Sequence, residues 1–135
     1  MTKFTGKWKY QSFLSDPINI DSDSPQFETW STPGDVTVDE CGTTGKLVLT
    51  GLPKPIDLTI KVTEGKPDQL YISAVVQLSE TVKFTNELQG WFVPKDPKSD
   101  DSPLVIRGSI VQTSADIAPT PQPVYTTGFF VLEKA

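Results

Sequence analysis

Four polar side chains in this 135-residue chain sit where polar groups are costly. Tyr10 and Ser12 alternate with Trp8 along the opening run Phe4–Leu14, so an inward Trp8 brings both inward with it. Asn86 lies between Phe84 and Leu88 on an apolar face, and Arg107, the single arginine, stands inside Leu104-Val105-Ile106-Arg107-Gly108-Ser109-Ile110-Val111. Buried polar groups need hydrogen-bond partners, which either a bound molecule or a network among the side chains can supply. Tyr10, Ser12 and Asn86 have the chemistry to orient a small molecule by hydrogen bonds. Arg107 has three open readings: a fork for a ligand carboxylate or enolate, a cation packed over an aromatic ring such as Trp8, or a solvent-facing charge. The aromatic residues, Trp8, Trp30 and Tyr125 among them, either line a pocket or fill a core. The candidate ligand-binding set is therefore Trp8, Tyr10, Ser12, Asn86, Arg107 and Tyr125.

Other chemistry is excluded by what the chain lacks. It has no histidine and one cysteine, Cys41, which rules out zinc sites of ordinary composition and Ser-His-Asp or Cys-His machinery. No glycine-rich phosphate loop or dinucleotide fingerprint occurs. Asp21-Ser22-Asp23 opens like a calcium loop but has neither the glycine at its sixth place nor the glutamate at its twelfth, so a solvated acidic loop is expected. We expect no cofactor and no metal. The net charge of −5, with lysines scattered along the chain, argues against nucleic acid and against an anionic membrane surface.

Positioning those side chains falls to strands. Alternation with period two marks Phe4–Leu14, Val36–Glu40, Lys46–Thr50, Ile56–Thr63, Gln69–Leu78, Lys83–Val93, Leu104–Thr113 and Val124–Glu133. Ile56–Thr63 is the clearest, with Ile56, Leu58, Ile60 and Val62 on one face and Asp57, Thr59 and Lys61 on the other. The twelve prolines and nine glycines fall between such runs, as turn residues should. Eight strands in series with short connections predict one all-β domain over residues 1–135, an antiparallel up-and-down barrel whose closure removes exposed edges. A two-sheet sandwich is the alternative. The stretch Gln26–Thr32 reads either as a strand or as a short helix near residues 25–31, and the helix is preferred as a cover for one end, with Ser24 or Asp23 as its cap and Pro25 at its first position. Alternating strand directions put the loops at 15–25 and 114–123 at the same end, which is the expected mouth.

The opening Thr5-Gly6-Lys7-Trp8 resembles the start of avidin-like and lipocalin-like (calycin) barrels. That resemblance implies an eight-stranded up-and-down barrel with a pocket at one open end. The later strands do not carry the several tryptophans of biotin binders, and the Thr-Asp-Tyr-like turn of lipocalins is missing. Trp8–Phe13, Gly90-Trp91-Phe92-Val93-Pro94 and Ile106–Val111 together are similar to small microbial barrels that imply no activity.

An eight-stranded barrel has room for side chains or one small ligand. The expected function is non-catalytic binding of a small hydrophobic or amphipathic molecule in the interior. A cofactor-independent cyclase or isomerase using the same cavity is one alternative, and an oligomeric interaction module with a filled barrel is another. With no signal peptide visible and no apolar stretch of membrane-spanning length, the expected location is cytoplasmic.

Overall fold

The computed structural model describes residues 4–17, 21, 23, 26–99, 101–117, 120–122 and 125–135. The described strands are β1 (Gly6–Pro17), β2 (Phe27–Thr29), β3 (Gly34–Val38), β4 (Thr44–Leu49), β5 (Ile56–Thr63), β6 (Gln69–Gln77), β7 (Val82–Pro94), β8 (Leu104–Ile117), β9 (Thr120–Gln122) and β10 (Thr127–Lys134). Alternation sets the inside and the outside. On β1, Trp8, Tyr10 and Ser12 are buried while Lys7 and Lys9 are exposed. On β5, Ile56, Leu58 and Ile60 are buried and Asp57, Thr59 and Lys61 exposed, as the period-two pattern requires.

Each ring strand pairs antiparallel with its neighbour in the order β1-β3-β4-β5-β6-β7-β8-β10, and β10 closes the ring by pairing with both β8 and β1. The barrel is thus the expected closed eight-stranded antiparallel one, and the closure overturns the sandwich alternative. Inward side chains fill its lower part. Leu70, Ile106, Phe130 and Leu132 are essentially inaccessible, and burial of each such side chain contributes about 1.5–3 kcal/mol. Directly paired glycines, Gly90 and Gly108, make room there: a Cβ on Gly90 would come within 3.0 Å of the Phe130 ring.

The helix expected near 25–31 is not formed. Ser24 and Pro25 lie outside the described residues, and Phe27–Thr29 is a strand. Its pairing with β1 runs through Phe13↔Thr29 and Pro17↔Phe27. Outside the barrel, Phe27 packs edge-on against Phe129 at 5.2 Å, and Phe129 stacks on Phe13 at 5.1 Å. Extended backbone is what lets Phe27 reach that pair, so tertiary contact overrides the local capping signal. The described residues contain no helix long and apolar enough to cross a membrane.

The two ends of the barrel differ. At one end Phe4, fully buried, packs on Trp8 at 5.1 Å and against Phe92 at 6.3 Å, making an aromatic plug. The other end receives the C-terminal half of β1, the start of β7 and the far end of β8, where β9 adds three residues.

Candidate functional site

Above the plug the interior is open. A cavity of about 170 Å³ lies between β1, β3–β8 and β10, floored by aliphatic side chains such as Ile72, Leu88, Ile110 and Leu132. Toward the unplugged end its wall continues through Trp30, Leu49, Leu52, Val76 and Phe84, which sit at strand ends or in the adjoining connections. This is the end expected to be the mouth, although much of the 15–25 and 114–123 segments lies outside the described residues. For scale, an apolar cavity of about 150 Å³ holds one benzene molecule.

Polar groups enter this wall at few points: Tyr10, Ser31, Asn86, Gln112 and the Trp30 indole. Their placement has local causes. The backbone N–H of Trp30 donates to the Ser12 carbonyl (2.9 Å), and the Gln11 Nε2 donates to the Ser31 carbonyl (2.9 Å). The link between β2 and β3 is thereby fastened to β1. The Trp30 ring then lies over Gly128, where a Cβ would come within 2.7 Å of it.

A bulge positions Asn86. The register between β7 and β8 runs Thr85↔Ser114 and then Asn86↔Gln112, leaving Thr113 as the extra residue. Such an insertion bends the strand and re-aims its neighbours. Here Asn86 and Gln112 stand directly opposite each other and both face the cavity. The Thr113 hydroxyl donates to the Thr85 carbonyl (3.4 Å) beside the bulge. The Asn86 Oδ1 is buried and has no hydrogen-bond partner among the described residues.

The six residues expected at the site separate. Tyr10 and Asn86 line the cavity. Ser12 is fully buried just behind the wall, its hydroxyl 3.3 Å from that of Ser31. Trp8 belongs to the plug. Arg107 faces outward, directly across from Trp91 on β7, and donates from Nη2 to the Lys95 carbonyl (3.3 Å). Tyr125 is 75% exposed. The cation over Trp8 is Lys134, its ammonium 5.0 Å from the ring centre. Gln112 and Ser31 were not singled out in the sequence. The face Ile106, Gly108, Ile110, Gln112 carried the signal for the first of them.

Burial raises the pKa of the Tyr10 phenol, and a hydrogen bond with Ser12 opposes that rise only in part. The phenol therefore stays neutral at physiological pH. Among the described residues that line the cavity there is no Asp, Glu, Lys or Arg. Among the described residues, no group of three or more His, Cys, Asp or Glu is placed to hold a metal ion. The wall offers neutral hydrogen bonds and apolar surface.

No protein-family model, no curated protein and no solved structure matches the chain. The closed eight-stranded antiparallel ring is compatible with a calycin-like fold. Membership of the avidins or of the lipocalins has no support from these comparisons.

Proposed function

We propose that the barrel binds a small apolar or amphipathic molecule and performs no chemistry on it. One observation carries this reading: a cavity of about 170 Å³ whose described lining is aliphatic and aromatic apart from a few polar groups on Tyr10, Trp30, Ser31, Asn86 and Gln112. Apolar walls with a few convergent polar groups are the usual make-up of a small-molecule site. A cyclase or isomerase would need a group to move a proton. Tyr10, held neutral by burial, is a poor base, and the other polar groups among the described lining residues are amides, a hydroxyl and an indole.

Native mass spectrometry of the purified protein, followed by thermal-shift titration with small apolar compounds, tests the reading. The comparison protein is Ala74→Phe, because Ala74 is buried in the cavity wall and a benzyl group there fills the space. Binding that stabilises the native chain and vanishes in a folded Ala74→Phe variant is the expected result. Equal responses of the two proteins would place any binding outside the barrel and end the proposal.

A further inference from the structure

Resting on that reading of the cavity as a ligand site, we infer that the ligand is a linear amphiphile whose anionic head sits outside the barrel, in a groove beside Lys54. The groove has a cause in the sequence. The ladder between β5 and β6 stops at Asp57↔Val75. Upstream of it, Pro53 and Pro55 have no backbone N–H with which to extend the pairing. The connection from β4 and the end of β6 therefore leave a hollow of about 230 Å³ between them. Pro53, Lys54 and Pro55 line one side of it, and Val75, Gln77 and Leu78 the other.

This groove adjoins the mouth. Leu52, Ile56 and Val76 line both hollows, so one layer of side chains separates the groove from the cavity. A chain leaving the cavity over half-buried Leu52 and Val76 enters the groove, where it covers Val75 and Leu78, now 37% and 53% exposed. Volume sets the length. An apolar cavity of about 150 Å³ holds one benzene molecule, so this one takes about six carbons and further carbons lie in the groove. Charge sets the head. The charged side chains among the described residues lining the groove are Lys54 and Asp57. Asp57 is ion-paired with Lys46, its register partner on β4. Gln77 donates from Nε2 to the Val82 carbonyl (3.3 Å), away from the β4–β5 connection. Lys54 is exposed and has no ion pair among the described residues, so an anionic head beside it gains a counter-charge while keeping most of its water.

Calorimetric titration with octanoate, and with octanol as its uncharged counterpart, tests the inference. The native protein is compared with Lys54→Gln, an exposed change outside the cavity, and with Ala74→Phe, which fills the cavity at a position that is not part of the groove. Octanoate should bind Lys54→Gln about two- to fivefold more weakly than the native protein, with octanol unchanged. Ala74→Phe should lose both compounds. In the native protein, raising salt from about 0.01 M to about 1 M should weaken octanoate relative to octanol, a comparison that needs no variant. Octanoate affinity unchanged in Lys54→Gln, or a ratio to octanol that salt does not move, would overturn the anion subsite. Octanol binding lost in Ala74→Phe would then still keep the cavity as a ligand site. Octanoate bound as tightly by a folded Ala74→Phe chain would place the tail outside the barrel and overturn the inference. If neither compound binds the native protein, the amphiphile is the wrong ligand class, and the thermal-shift titration with small apolar compounds decides for the cavity alone.

Discussion

Lys134 places its ammonium 5.0 Å from the centre of the Trp8 ring and donates from it to the Thr5 carbonyl (2.6 Å). The last strand is thus latched over the first at the plugged end, where Trp8↔Lys134 is also a register pair of the β1–β10 ladder. Gly6 makes the approach possible. Its φ of +89° is one that side-chain-bearing residues rarely adopt, and a Cβ there would lie 2.9 Å from the Lys134 nitrogen.

Lys134→Met separates the latch from its aliphatic stem, because methionine keeps most of the length and removes the charge. The lost cation–π contact is expected to cost about 0.5–1 kcal/mol at this exposed site, a fall in Tm of about 2–4 °C. Gly6→Ala should cost more, about 1–2 kcal/mol, because the backbone itself is strained. Thermal unfolding followed by circular dichroism measures both. A Lys134→Met protein as stable as the native one would show that the latch adds nothing.

Two glycines make contrasting predictions. A Cβ on Gly108 would sit 1.9 Å from the Gln89 carbonyl oxygen and 2.4 Å from the Gly90 Cα, both of them backbone atoms that cannot swing aside. Gly108→Ala therefore forces β7 and β8 apart above Phe130, an overpacking cost of about 3 kcal/mol or more. Gly51 also has a positive φ (+87°), but nothing lies within 4 Å of its missing Cβ. Gly51→Ala should cost only the backbone strain of about 1–2 kcal/mol. Urea midpoints of the two variants would rank them, and the reverse order would contradict the tight β7–β8 approach.

The barrel was legible because alternation is a local signal. Ile56–Thr63 and the opening Gly6-Lys7-Trp8 show their faces residue by residue, and short connections leave antiparallel neighbours as the simple solution. What the sequence hid depends on partners distant in the chain. Ser24-Pro25 obeys the local grammar of a helix start, but Phe27 is decided by Phe129. Arg107 is set outward by the Gly90↔Gly108 register, which buries Ile106 and Ile110 beside it. The Asn86 bulge carries no glycine or proline to announce it. Asn86 was conspicuous as a polar residue between Phe84 and Leu88, while its facing partner Gln112 emerges only once β7 and β8 are paired.

Alkaline pH probes Tyr10. Its pKa is raised in the folded protein by burial, whereas the unfolded phenol titrates near its ordinary value of 10.0. The neutral phenol's contribution to stability is therefore complete below pH 10 and is lost as pH rises through the higher folded value. The native protein should lose stability above about pH 10, and Tyr10→Phe should flatten that part of the decline. Chemical denaturation at a series of pH values from neutral upward measures it. Parallel declines in the two proteins would mean that Tyr10 does not titrate from a buried site.

Asn86→Leu tests what the buried amide costs the fold. The Asn86 Oδ1 is buried and has no hydrogen-bond partner among the described residues, so replacing the amide by an apolar side chain of similar size removes a penalty of about 1–3 kcal/mol. Leucine also adds apolar contact with Phe84 and the aliphatic wall. The variant should therefore be more stable than the native chain without ligand, by about 3–9 °C in Tm if the whole penalty is recovered. An Asn86→Leu protein clearly less stable than the native one would mean that the amide has a structural partner.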